Sequence, residues 1–219
     1  GDLETHNFSV LFGRHEARWN VAGGMAYYDQ EPLFSRDRDR STSSDGRPRG
    51  GIHNRSSATT PARIMVDGVP WILADPALDG SDVAHFRPAS AEDRFEYRDF
   101  TTSVVPSERW SVFLDAALRR GRLELYGEGL VTHTDARNTL APTPLFTNFE
   151  TIDLTVAAAN PYNPFGADIA DVRRRVTELP ARTQDNRTRT ERFVLGLRNL
   201  DHRIRWDVAL QSSTTHAEE

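Results

Sequence analysis

Larger apolar residues and smaller or polar residues alternate along several segments of the chain. In residues 19–27 every second position is large or apolar, as at Trp19, Val21 and Met25. The same alternation recurs in four further segments, residues 110–118, 123–131, 193–197 and 204–210. Neighbouring side chains of a β-strand point to opposite faces, so a period of two predicts strands with one apolar and one polar face.

The connections between these segments alternate between very short and very long. Three hairpins with short turns are predicted, from residues 3–13 and 17–30, 109–118 and 123–133, and 191–197 and 204–211. The connections between hairpins, residues 31–108 and 134–189, are long and rich in Pro, Gly, Ser, Asp and Arg. Connections in compact domains usually have about 4–6 residues. Bacterial transmembrane barrels combine short periplasmic turns with long extracellular loops.

The expected fold is all-β: an antiparallel transmembrane β-barrel segment of about six strands in three hairpins, with residues 1–219 forming part of one barrel. A soluble β-sandwich is the alternative, because its strands also alternate, although turns every 8–12 residues are usual there and the two long connections break that rhythm. A membrane barrel needs at least about eight strands to close. We therefore expect this sequence to be a piece of a longer chain.

Composition removes several classes of function. The sequence has no cysteine, which excludes thiol catalysis and cysteine-based zinc sites. Its 27 basic residues are all arginine, they are interleaved with acidic residues, and the net charge is −5, so nucleic acid is not an expected partner. The sequence contains no run of 18 or more apolar residues, so no transmembrane helix is predicted.

Motif searches give no catalytic residue, metal ligand or cofactor-binding residue. The seven histidines are scattered without helical spacing, and the sequence contains no G-x-S-x-G elbow and no phosphate-binding loop. The alternating charges of residues 35–40 (Ser-Arg-Asp-Arg-Asp-Arg) could bind an anion, but a solvated loop whose charges satisfy one another is the simpler interpretation. The chain is not expected to be an enzyme.

Several segments together resemble a known family. Residues 160–166 (Asn-Pro-Tyr-Asn-Pro-Phe-Gly) resemble a loop signature of TonB-dependent outer-membrane receptors. The Ala-Pro stretch of residues 140–144 and the arginine-rich residues 168–182 are similar to the flanks of that loop. Further similar segments occur in family order, residues 28–38, 106–113 and 193–206.

This resemblance implies a receptor of the bacterial outer membrane that imports a scarce nutrient of the siderophore, carbohydrate or vitamin class. Its barrel would have 22 strands and would be plugged by an N-terminal domain. The implied partners are outer-membrane lipid, the nutrient, and the TonB complex acting through the plug. Neither a plug nor a TonB box is found in these 219 residues. A passive porin or barrel adhesin and a soluble β-sandwich carbohydrate-active protein are the alternatives.

Candidate ligand-contacting residues follow from the strand faces and from the loops. Polar strand positions that would face a barrel interior, and aromatic loop residues that could stack on a ligand, give seven candidates: Glu124, Tyr126, Glu128, Arg205, Asp207, Trp71 and Tyr162.

Overall fold

The computed structural model describes residues 3–149, 152–201 and 203–219. These residues are mostly β-strand, and the strands form antiparallel sheets. The all-β, antiparallel part of the prediction is therefore confirmed. No helix among the described residues is long and apolar enough to cross a membrane. The chain divides into two compact units, which we name the six-stranded unit and the five-stranded unit after their largest sheets.

The six-stranded unit is a meander in which each long strand pairs with the next one along the chain. Its strands are β1 (Thr5–His15), β2 (Trp19–Gln30), β3 (Ser107–Arg120), β4 (Leu123–Leu140), β5 (Arg182–Asn199) and β6 (Trp206–Glu218). Within the described residues, β1 and β6 each pair with a strand on one side only, so the sheet is open at both edges.

Short turns join the strands of each hairpin at one end of this sheet. The β3–β4 turn has two residues, Gly121 and Arg122, and Gly121 has a φ of 63°, a left-handed conformation that glycine adopts without strain. At the opposite end of the sheet the chain leaves after Gln30 and after Leu140, and returns at Ser107 and at Arg182. The two long connections therefore start and finish at the same end.

Most strands extend beyond the predicted bounds at one end or both, whereas β2 begins two residues later than predicted. The largest difference is in β5, which begins at Arg182, nine residues before the predicted start at residue 191. Its first half, residues 182–190, is polar on both faces and therefore has no hydrophobic alternation to read. Residues 187–190 of this half pair with β6, from Arg187 opposite Glu218 to Thr190 opposite Thr215.

The five-stranded unit is built from the two long connections, Phe34–Ser103 and Thr139–Arg182. Its main sheet has short strands in the order Pro144–Phe146, Asp171–Arg175, Arg63–Val66, Val69–Leu73 and Phe86–Pro88. Smaller ladders pair Leu33–Phe34 with Thr102–Val104, and Asn148–Phe149 with Ile152–Asp153. In the described part of these connections, four single-turn 3₁₀ helices lie between strands, at Ser35–Asp37, Arg47–Arg49, Val83–His85 and Tyr97–Asp99.

A small core supports the five-stranded unit. Its buried residues include Ala58, Val66, Ile72, Ala141 and Ile169. Beside them, the ring of Phe165 contacts Phe86 and Trp71, with centroid distances of 5.0 and 5.8 Å. The connections are thus folded, although their composition resembles that of loops.

Candidate functional site

The two faces of the six-stranded sheet differ in chemistry. Register places Tyr27 of β2 opposite Trp110 of β3, and Trp110 opposite His133 of β4, so that aromatic rings form a row across the sheet. We name the face that carries this row the apolar face. Its solvent-exposed large side chains are Phe8, Val10, Phe12, Trp19, Met25, Trp110, Val112, Leu114, Leu118, Leu123, Leu125, Phe193, Leu195, Leu197, Trp206, Val208 and Leu210.

The apolar face has a sharp boundary on the side where the long connections leave. Two residues beyond the aromatic row, Asp29, Glu108 and Asp135 lie opposite one another on β2, β3 and β4. The carboxylate of Asp135 lies 2.9 Å from Nε2 of His133 and 3.3 Å from Nε of Arg187. Apolar side chains therefore give way to charged ones within one residue pair of the ladder.

The opposite face, which we name the polar face, carries a group of ionic and polar contacts near the short turns. Glu124 is its centre and has no solvent-exposed surface. Its carboxylate accepts hydrogen bonds from the guanidinium of Arg119 on β3 and from Nε of Arg198 on β5, the latter at 2.6 Å. A buried carboxylate between two cations has its charge compensated from both sides.

Tyr126 and Asp207 extend this group across β5. The Tyr126 hydroxyl donates a hydrogen bond to Oδ1 of Asp207 at 2.8 Å. The guanidinium of Arg198 lies 5.0 Å from the centre of the Tyr126 ring, within range of a cation–π interaction. The ring crosses β5 directly above Gly196, where an added Cβ atom would lie 2.3 Å from the ring. Glycine at this position allows the ring to reach Asp207.

Two further candidates lie near this group without a close contact to it. Glu128 is exposed and faces Arg192 across the sheet, with 3.7 Å between the charged atoms. Arg205 is also exposed, and it lines a concave surface together with Arg198, Leu200 and Asp207. The structure thus brings Glu124, Tyr126 and Asp207 into one cluster, with Glu128 and Arg205 outside it.

The two loop candidates belong to the five-stranded unit. Trp71 lies on the strand Val69–Leu73, where it packs near Phe165 and is half-buried. Tyr162 is 89% exposed, while its backbone N–H donates to the side chain of Asn160 at 2.9 Å. The first residue therefore has a packing role, and the second presents a free aromatic ring to solvent.

Sequence reasoning did not select Arg119 and Arg198 as candidates, although alternation places both on the polar face. Their importance depends on Glu124, which lies five residues from one and 74 from the other. A signal was present for Arg119, because a short turn brings residues on either side of it together. No local signal could have identified Arg198.

No group of three or more histidine or carboxylate side chains suitable for a metal ion occurs among the described residues. Comparisons of the chain with protein-family models, with curated proteins and with solved structures found no match. The features of the chain that bear on its function are therefore the two faces of the sheet, the polar cluster and the sequence resemblance.

Proposed function

We propose that the chain supplies part of the barrel wall and the ligand-facing loops of a TonB-dependent outer-membrane receptor that imports a scarce nutrient. Two independent features support this proposal. One is the family-ordered resemblance of segments such as residues 160–166. The other is a sheet with six long strands, short turns at one end and long connections at the other. No bond of the nutrient need be made or broken during uptake.

The exposed apolar face is the observation that carries the proposal. Proteins in water rarely expose contiguous apolar patches larger than a few hundred Å². In a membrane this face would contact lipid instead of water, so its apolar side chains would not be exposed to solvent. Trp19 and Tyr27 mark its two ends on β2, eight residues or about 26 Å apart along the strand. With a strand tilt of about 40°, this length corresponds to about 20 Å across the membrane, close to the apolar band of about 25 Å in outer-membrane barrels.

In this proposal the polar face borders the barrel interior. Glu124 and its arginines would stabilise the wall, while the exposed Glu128 and Arg205 would be accessible to the plug or to a passing ligand. Strands from the rest of the receptor would pair with β1 and β6, because unpaired backbone groups in lipid cost several kcal/mol each. The plug would transmit the action of the TonB complex, and the nutrient would be of the siderophore, carbohydrate or vitamin class.

A pair of substitutions on β5 tests the orientation of the faces. Leu195 is 58% exposed on the apolar face, and its neighbour Val194 lies on the polar face. In the receptor, Leu195→Arg should cost about 2–4 kcal/mol if the site lies near the membrane midplane, whereas Val194→Arg should cost far less. Barrel assembly would be measured as heat-modifiable electrophoretic migration of outer-membrane fractions. Equal assembly of the two variants would refute the assignment of the apolar face to lipid.

A further inference from the structure

Two arginines face each other directly in the sheet of the five-stranded unit. The strands Arg63–Val66 and Asp171–Arg175 pair so that Arg63 is opposite Arg173, and their side chains share one face. Like charges placed directly opposite each other destabilise a sheet. Both residues are half-buried, so solvent screens their repulsion only in part.

Two carboxylates that are close in sequence to Arg173 and Arg94 already accept hydrogen bonds from arginine. Asp171 accepts three hydrogen bonds from Arg173, of 2.8, 2.8 and 3.2 Å. Asp93 likewise accepts two from Arg87, 2.8 and 2.5 Å long, and its Oδ2 also accepts from Ser90. Among the residues that the structure describes, no side-chain hydrogen bond or ion pair joins Arg63 to a carboxylate.

A third arginine, Arg94, lies near the first two. Phe95 and Ser56 exchange two backbone hydrogen bonds of 2.9 and 3.0 Å, which brings residue 94 alongside residue 57. The hydroxyl of Ser57 accepts a hydrogen bond of 3.0 Å from Nη1 of Arg173. Arg94 is half-buried, and its guanidinium has no hydrogen-bonding or ion-pair partner in the described part of the chain.

The electrostatics of Arg63 reflect this crowding. Burial lowers the pKa of Arg63 below its ordinary value, and repulsion from Arg173 and Arg94 lowers it further, while Asp171 opposes these effects. A partly desolvated cation with cationic neighbours gains more from an added anion than a solvated one does.

We propose that Arg63 and Arg94, assisted by Arg173, form a binding site for a small anion that carries carboxylate or phosphate oxygens. Arginine suits this role because its planar fork of N–H donors matches two oxygens of such a group. The binding of an anion by this cluster does not depend on whether the chain lies in a membrane. The further statement that the cluster captures an imported nutrient, which would then be anionic, rests on the proposed function.

Equilibrium dialysis of the full chain in detergent micelles, with radiolabelled inorganic phosphate and with citrate, tests the site. The chain should bind at least one of these two anions saturably, and added salt should weaken the binding. Arg63→Gln and Arg94→Gln should each weaken it by about tenfold, because each removes charge-assisted hydrogen bonds. Arg63→Lys should retain intermediate affinity, since it keeps the charge but loses the fork.

Arg174→Gln is the matched control. Arg174 lies on the same strand as Arg173 but on the opposite face, and it is paired with Glu178. This variant should bind as the unaltered chain does. If Arg63→Gln loses the β-sheet signal in circular dichroism, Arg94→Gln, which lies outside the strands, supplies the same test.

The proposal would be overturned if the chain bound neither anion saturably, or if the Arg94→Gln variant bound the anion as tightly as the unaltered chain. It would also be overturned if, in a co-sedimentation experiment, the chain bound only to vesicles of phosphatidylglycerol. The last result would assign the cluster to lipid headgroups instead of a free anion. Anion binding in micelles does not depend on membrane orientation. Its failure is therefore distinguishable from equal assembly of the two β5 variants, which concerns the proposed function.

Discussion

Glu124 has no exposed surface, although the side chains of its partners Arg119 and Arg198 are 44% and 43% exposed. The carboxylate lies beneath two guanidinium groups that are themselves partly hydrated. Such an arrangement joins β3, β4 and β5 through one side chain. At the scale of the residue, Glu124 therefore connects three neighbouring strands near their short turns.

Removing the charge of Glu124 should weaken the sheet. In Glu124→Gln the two arginines lose their counterion, and we expect a loss of about 1–3 kcal/mol in the free energy of unfolding. Urea-induced unfolding in detergent micelles would measure it.

Glu128→Gln is the control for this change, because Glu128 is exposed and 3.7 Å from Arg192, so its loss should amount to less than about 1 kcal/mol. Equal losses in the two variants would show that burial of Glu124 adds nothing to stability.

Segments of the five-stranded unit that lie outside its sheets are held together by a single side chain. Glu96 accepts hydrogen bonds from the hydroxyls of Ser43 and Ser44, from the backbone N–H groups of Ser44 and Arg98, and from the guanidinium of Arg55. One carboxylate thereby connects residues 43–55 to residues 96–98. The five-stranded unit depends on such contacts because its buried core is small.

This arrangement predicts a pH dependence. Burial raises the pKa of Glu96, but the hydrogen bonds from Ser44, Ser43 and Arg98 outweigh it, and the pKa lies below the ordinary value of 4.5. The unfolded chain then binds the proton more readily than the folded one. The stabilisation is therefore complete well above pH 4.5, and it is lost as the pH falls through the lowered pKa of the folded state.

Limited proteolysis of residues 41–56 at a series of pH values, with an acid-tolerant protease, would detect this loss. In Glu96→Gln the segment should be cleaved faster at pH 7, and its sensitivity should rise less on acidification than that of the unaltered chain. The pKa values of Asp45 and Asp93 are also lowered, chiefly by Arg47 and Arg87 respectively. These two groups also lose their stabilising effect on acidification, and they do so equally in the unaltered chain and in the Glu96→Gln variant. An unchanged acid response in Glu96→Gln would contradict the role of Glu96.

The arrangement of connections matters at the scale of the whole molecule. Antiparallel strands joined in sequence alternate in direction, so every second connection emerges at the same end of a sheet. The β1–β2, β3–β4 and β5–β6 turns meet at one end, and the long connections begin at the other. In an outer-membrane receptor the long connections would be extracellular and the short turns periplasmic.

Epitope labelling on bacterial cells tests this orientation. An epitope inserted after Gly50, which is exposed and has no neighbouring atom within 4 Å of an added Cβ, should be labelled on intact cells. An epitope inserted at Gly121 should be labelled only after the outer membrane is permeabilised. Labelling of Gly121 alone on intact cells would invert the orientation, and labelling of both sites would contradict the membrane topology.

Hydrophobic alternation along the chain predicted the presence of six strands and their two faces. Alternation requires only that a residue be compared with its neighbours two positions away, and this local rule places Leu195 on the apolar face and Glu124 on the polar one. The turn at Gly121 was predicted from the short gap between two alternating segments, residues 109–118 and 123–133. The Asp67–Gly68 pair, with φ values of 48° and 78°, is a local hairpin signal that the sequence analysis did not use, and this hairpin of the five-stranded unit was not predicted.

Contacts between residues that are distant in sequence could not be predicted from this local pattern. Residues 187–190, in the polar first half of β5, pair with β6, and Glu124 is buried where Arg198, 74 residues away, lies on the neighbouring strand. Arg63 faces Arg173 only through the register of two strands in the five-stranded unit. Such contacts depend on which strands pair and in what register, and hydrophobic alternation specifies a face for each residue but not its partner.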